Sequence, residues 1–154
     1  MPNGSLQPAD SRLESFIRRL TAQRDILDAI CSAIPPYGPV LELGLGNGRT
    51  FDHLRARLPG RHIIAFDRAL AAHTRSVPPS GDLVLGEISE TAKRFAGSGA
   101  ALVHADIGTG DDDKDAQTLL WLPGLVASLL GEGGIAVSGL ALDHPRLAPL
   151  PPPS

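Results

Sequence analysis

Between residues 13 and 34 apolar side chains recur three and four positions apart: Leu13, Phe16, Ile17, Leu20, Leu27, Ile30, Cys31 and Ile34. Arg12, Arg19, Asp25 and Asp28 fall mostly off that stripe. The period predicts a helix over residues 11–34, its apolar side on a sheet and its arginines in solvent. Ser11, followed three residues later by Glu14, supplies a capping box at its start, and Pro35-Pro36 ends it. Residues 1–10, with Pro2, Gly4 and Pro8, read as a flexible lead-in.

After this helix the pattern changes to short apolar runs at 39–43, 62–66, 83–86, 101–105 and 135–138. Helix-like segments separate them: Thr50 to Leu58, a short one at Leu70 to Arg75, Ser89 to Phe95, and Ala116 to Leu130 with a break expected at Pro123-Gly124. Strand-length runs alternating with helices predict an α/β fold, a mostly parallel sheet joined by helical crossovers. Gly131, Gly133 and Gly134 are expected to turn the chain into the fifth strand. Residues 11–142 form one domain in this reading, and 143–154 a proline-rich tail.

Composition narrows the class. With 154 residues, 42% of them hydrophobic, the chain can bury one core but not two of ordinary size. A net charge of -3 disfavours nonspecific nucleic-acid binding. Cys31 is the single cysteine, the first twenty residues carry Asp10, Glu14 and three arginines, and no apolar run approaches the roughly 18 residues that span a bilayer. A cytoplasmic protein without a membrane partner is expected. One cysteine and five scattered histidines form no zinc set, so no metal is expected.

Candidate chemistry gathers at the ends of the first three runs. VLELGLGNGRT places Gly44, Gly46 and Gly48 in the turn between the first strand and its helix. Glycine there admits positive φ and removes each Cβ that would hold a ligand away from the backbone, at the sheet edge where open α/β folds bind nucleotides. Asp67 ends the second run, nineteen residues after Gly48, where a carboxylate can accept from both hydroxyls of a ribose. The third run ends in Gly86-Glu87-Ile88, an acceptor beside an apolar side chain, suited to an adenine edge and face.

A dinucleotide fingerprint would require a third glycine where Arg49 stands. The spacing is instead E-x-G-x-G-x-G from Glu42, and it resembles motif I of the Rossmann-like S-adenosylmethionine-dependent methyltransferases. The likeness covers residues 40 to about 142, and LVASLLGEGGIAVSG is similar to that family's approach to strand five. GLGNGRT with FDRAL further resembles a small bacterial branch of unknown substrate. The resemblance implies strand order 3-2-1-4-5 with helices on both faces, and S-adenosyl-L-methionine as cofactor. It also implies roles. Glu42 would approach the methionine amino group directly or through water, and Gly44, Gly46 and Gly48 would lie against methionine and ribose. Asp67 would take the ribose hydroxyls, Arg68 and Ala69 would sit beside the adenine, and Glu87 and Ile88 would flank it. Asp106 would fall between cofactor and acceptor.

Methyl transfer from a sulfonium needs alignment above all, and a base only where the acceptor must lose a proton. Asp106 leads as candidate base, ahead of His104, Asp111 and His144. The acids of DDDKD at 111–115 are expected to cap the following helix rather than hold magnesium. Asp106 is followed by Ile107-Gly108-Thr109, not by the Pro-Pro-aromatic of enzymes that methylate nucleobase or glutamine amino groups. Cys31, on the apolar helix face, is not placed for pyrimidine C5 chemistry. The expected partner is a small-molecule acceptor, methylated at oxygen, nitrogen, sulfur or carbon. The full family sheet ends in an antiparallel hairpin, for which twelve residues after Leu142, rich in proline, leave no room. Strand five would then be an open edge, and a homo-oligomer covering it, or a chain shortened relative to its relatives, is expected. The alternatives are a noncatalytic adenosine-binding module and, third, an NAD(P)-dependent oxidoreductase.

Overall fold

The computed structural model describes residues 11–151, so the expected lead-in at 1–10 lies outside the described residues. Five strands, β1 (Val40–Leu43), β2 (Ile63–Asp67), β3 (Leu83–Leu85), β4 (Ala100–Ala105) and β5 (Leu130–Ser138), form one sheet in the order β3-β2-β1-β4-β5. Every pairing is parallel. This is the α/β architecture expected from the alternating pattern, with the strand order that the resemblance implies.

Side chains alternate between the faces of each strand, so one sheet carries two cores. Leu41, Leu43, Phe66, Val103 and Ala105 pack on one face with Ile88 of α3 (Ile88–Thr91) and with Leu122, Val126 and Leu129 of α5 (Leu122–Leu129). Phe66 meets Phe95 edge to face at 5.1 Å. On the other face Val40, Ile63, Ala65 and Leu102 pack with Phe51 and Leu54 of α2 (Arg49–Arg57) and with Leu27 of α1 (Arg12–Cys31). Glu42 and His104 belong to this second face by the same alternation, directly across from each other in the β1–β4 register.

The first helix starts as expected, Ser11 Oγ accepting from Glu14 N at 3.0 Å. It ends at Cys31, three residues before the expected end at 34. Its stripe is buried only at the C-terminal end: Leu27 is in the core and Ile30, Cys31 and Ile34 pack against it. Leu13, Phe16, Ile17 and Leu20 remain 36 to 66% exposed, because this half of α1 overhangs the carboxyl ends of β1 and β4. A clamp ties α1 to α2, with Asp28 Oδ1 receiving His53 Nε2 at 2.7 Å and Arg57 Nε at 3.1 Å.

Three local expectations need correction. The segment expected as a helix at 70–75 holds one 3-10 turn at Thr74–Ser76, since His73 N is drawn to Asn47 O and the His73 ring accepts from Arg75 N. The expected helix 116–130 is two helices, α4 (Asp112–Leu119) and α5, and the break precedes Pro123 because a proline fits the first turn, where its missing N–H costs nothing. Gly131, Gly133 and Gly134 lie within β5, not in a turn before it. Ala100 faces Leu130 while Leu102 faces Ile135, a wide bulge in which a Cβ on Gly134 would stand 2.5 Å from Ala100 O.

β5 pairs only with β4, and residues 139–151 contain no strand. Leu140, Leu142 and Leu147 fold back onto the first core cluster instead. Among the described residues no helix is long and apolar enough to cross a membrane.

Candidate functional site

The glycine turn after β1 is anchored by its own backbone. Gly44 N and Leu45 N both donate to Phe66 O at the tip of β2, at 2.8 and 3.1 Å. Gly44, Gly46 and Gly48 have φ of +92°, +55° and +88°, conformations that L side chains rarely adopt. Their surroundings differ. A Cβ on Gly44 would lie 2.5 Å from Ile107 Cγ2, and one on Gly48 would lie 2.6 Å from Ser76 Cβ, so the protein's own packing demands both glycines. Gly46 alone of the three faces open space.

Asp67 stands beside that opening. Its Oδ2 accepts from Gly46 N at 2.9 Å and its Oδ1 from Arg68 N at 2.7 Å. A carboxylate offers about four lone-pair positions, so about two are still available to a pair of hydroxyl donors. Arg68 Nε meets Glu87 across the tips of β2 and β3 at 3.2 Å, an exposed pair of small energetic weight. Ala69 is exposed, whereas Ile88 is buried in the core and presents little surface at this edge.

Beneath the turn lies a fully buried polar group. Glu42 has no solvent exposure, and His104 is 2% exposed. Glu42 Oε1 is hydrogen-bonded to His104 Nδ1, and Glu42 Oε2 accepts from Thr50 Oγ1 at 2.7 Å. Burial of the His104 ring acts to lower its pKa, but the charge and hydrogen bond of Glu42, aided by Asp106, outweigh it and hold the ring above its ordinary value. Each carboxylate oxygen of Glu42 thus has a protein partner and the residue has no exposed surface, so Thr50, a wall of the cavity, stands between it and the opening.

A cavity of about 240 Å³ opens above this pair. Its walls are residues 44–47 of the glycine turn, Arg49 and Thr50 at the start of α2, Leu20 and Gln23 of the α1 overhang, and Asp106. Asp106 follows β4 and is exposed; its Oδ2 accepts from Gln23 Nε2 at 3.4 Å. The structure therefore brings Gly44, Gly46 and Asp106 to one cavity, joins Asp67 to it through Gly46 N, sets Arg68 and Glu87 on the neighbouring strand tips, and puts Glu42 below. Sequence reasoning missed Leu20, Gln23, Arg49 and Thr50 as wall residues. For Leu20 and Gln23 no local signal exists, because only the packing of α1 brings them there.

The acids at 111–115 organise the next helix. Asp111 Oδ1 caps α4 by accepting from Asp113 N and Lys114 N at 3.0 and 3.1 Å. Asp115 accepts from Thr109 N at 2.8 Å, from the Thr109 hydroxyl and from Gly110 N, bonds that hold its carboxyl below the ordinary range.

A parallel sheet with a bare glycine turn after its central strand and a carboxylate on the next strand tip defines a nucleotide-binding protein of the doubly wound α/β class. The family is more specific: a family model described as S-adenosyl-L-methionine methyltransferase matches residues 10–154, and the chain belongs to that family. Its cofactor is S-adenosyl-L-methionine. The chain is similar to a crystal structure of an S-adenosyl-L-methionine methyl transferase from Silicibacter pomeroyi DSS-3, with 41% identity, a TM-score of 0.83, and coverage of 94% of this chain and 92% of that one. More distant likenesses show the fold alone. DesVI of Streptomyces venezuelae has 16% identity and a TM-score of 0.53 over 86% of this chain and 58% of that one. The sugar N-methyltransferase KedS8 of Streptoalloteichus sp. has 17% identity and a TM-score of 0.55 over 92% of this chain and 60% of that one. Among curated proteins, none matched in sequence.

Proposed function

We propose that this chain transfers the methyl group of S-adenosylmethionine to a small-molecule acceptor. The observation that carries the reading is the contact of Asp67 Oδ2 with Gly46 N, which joins a carboxylate with spare acceptor capacity to the one glycine of the motif that faces open space. When bound, the cofactor supplies an activated methyl group on a sulfonium; the protein's part is to hold, orient and shield.

Asp67 takes the ribose hydroxyls, and Arg68 and Glu87 border the adenine from the neighbouring tips, with Ile88 supporting from the core. The Thr50 hydroxyl donates a hydrogen bond to Glu42, which leaves the lone pairs of its oxygen free to accept from the ammonium of the methionine part. Glu42 acts at one remove in this arrangement. The Arg49 guanidinium, at the wall of the cavity, suits the methionine carboxylate. Asp106 borders the acceptor side. The open outer edge of β5 supports a homo-oligomer as the working state.

Calorimetry with S-adenosylhomocysteine tests the reading. Wild-type protein is expected to bind it, and Asp67→Ala to bind at least about tenfold more weakly, since hydrogen bonds to a charged group contribute roughly 1.5–3 kcal/mol each. Equal affinity of the two proteins would remove the support on which the proposal stands.

A further inference from the structure

Across β2, β1, β4 and β5, one level of the sheet reads Ala65, Glu42, His104, Val137. Two ionisable side chains thus lie side by side between two apolar ones, with 0% and 2% exposure. A buried ion pair is a poor way to gain stability, since apolar side chains of similar volume often serve as well or better. Stability alone therefore does not account for this pair. His104 is not a wall of the cavity, which removes it from the candidate bases.

The hydrogen bonds of the pair run in one direction. A carboxylate only accepts, so His104 Nδ1 donates to Glu42 Oε1 and the Thr50 hydroxyl donates to Glu42 Oε2. Among the described residues, neither the Glu42 carboxylate nor the His104 ring has a further side-chain partner. A threonine hydroxyl has one proton and two lone pairs, and can face a ligand as donor or as acceptor. Here the proton is directed inward, and Thr50 is a wall of the cavity, so the oxygen offers lone pairs there. A carboxylate is planar, so holding Oε1 at His104 keeps Oε2 turned toward Thr50.

We infer that His104 is a positioning residue for the ammonium group of the cofactor: it holds Glu42, Glu42 fixes the Thr50 hydroxyl as an acceptor, and the ammonium docks on that oxygen. This rests on the methyltransferase reading and adds to it the residue that sets the polarity of the Thr50 hydroxyl. His104 touches no ligand in this arrangement and acts only through its two neighbours. A ligand with the same adenosine, thioether and carboxylate but no amino group gains nothing from the chain of bonds. The two ligands therefore differ at one contact, which isolates the effect of His104 from general damage to the site.

Calorimetry with S-adenosylhomocysteine comes first; absence of binding overturns the methyltransferase reading and this inference with it. Its deamino analogue, in which hydrogen replaces the amino group, is then titrated. Wild-type protein is expected to prefer S-adenosylhomocysteine by about tenfold or more, the worth of one hydrogen bond to a charged group. Binding of both ligands without preference overturns this inference alone. Thr50→Val and His104→Leu are each expected to abolish the preference while changing affinity for the analogue far less. Thr50→Ser and His104→Asn, which keep the hydroxyl and the N–H donor, are expected to retain it. Because His104→Leu also removes stability, Glu42→Gln supplies a second route. Its amide oxygen meets the His104 N–H, its amide nitrogen faces Thr50, and the Thr50 proton turns toward the cavity, so the preference should vanish. A preference that survives in Glu42→Gln, or an equal fall in both affinities in His104→Leu, makes the role of His104 structural and overturns the inference. So does loss of the preference in Asp106→Asn with Thr50→Val unaffected, since the ammonium would then sit on Asp106.

Discussion

Replacing His104 by leucine removes the one basic partner of a carboxylate that has no contact with solvent. Glu42 is 0% exposed and keeps only the Thr50 hydroxyl. Removing one member of a buried ion pair costs about 3–5 kcal/mol, a large part of the 5–15 kcal/mol typical of a whole domain. For a chain of this length each kcal/mol is worth roughly 2–4 °C, so the melting temperature should fall by about 6–20 °C. Glu42→Leu should cost a similar amount by stranding the imidazole. The double replacement leaves no buried charge and deprives Thr50 of its acceptor, a loss of about 1 kcal/mol. The double variant should therefore be more stable than either single one, which urea unfolding of the four proteins would measure. A His104→Leu cost below about 1 kcal/mol, or a double variant at the sum of the singles, refutes the buried pair. A pH series supplies the second arm. His104 is held above its ordinary value of about 6.5, so its contribution is complete below that pH and is lost as pH rises through the folded-state value. Wild-type stability should decline as pH passes above neutrality. In Glu42→Gln burial dominates the ring and the decline should vanish or reverse.

The remaining predictions concern the turn, the helix cap and the thiol. Gly48→Ala should destabilise by about 2 kcal/mol or more, because strain at positive φ is joined by the collision with Ser76; Gly46→Ala should cost only the roughly 1–2 kcal/mol of strain while weakening S-adenosylhomocysteine binding, so equal stability losses would contradict the difference drawn between the two glycines. Asp111→Ala should cost about 0.5–2 kcal/mol by uncapping α4 and leave S-adenosylhomocysteine affinity unchanged, as calorimetry and thermal melts can show. Cys31, raised by burial and then by the Asp28 charge, should react slowly with iodoacetamide at neutral pH until the protein is unfolded; a rate matching the unfolded chain would place it outside the core.

Much of the arrangement was legible along the chain because its causes are local. A change of period from three and four to short apolar runs distinguishes α1 from the strands, and each strand tip falls close to where its run ends. Positive φ is a property of single residues, so Gly44, Gly46 and Gly48 announced a turn. Asp67 followed because a carboxylate at a strand tip is marked by the end of the apolar run before it. The misplacements also have local explanations that only neighbours reveal: Pro123 starts α5 where it was expected to interrupt a longer helix, and the glycines at 131–134 lie inside β5 because Gly134 passes against Ala100 O.

What the order of residues determined by itself, then, is the alternation of strands and helices, the bare turn after β1 and the acid at the tip of β2, since periodicity and glycine geometry act over a few residues. Only the folded chain decided that Glu42 is sealed against His104, sixty-two residues away, that a Cβ on Gly46 would meet open space where one on Gly44 or Gly48 would collide, and that α1 carries Leu20 and Gln23 over Asp106. Those facts depend on strand register and on the direction in which a helix packs, and both are set by the sum of distant contacts.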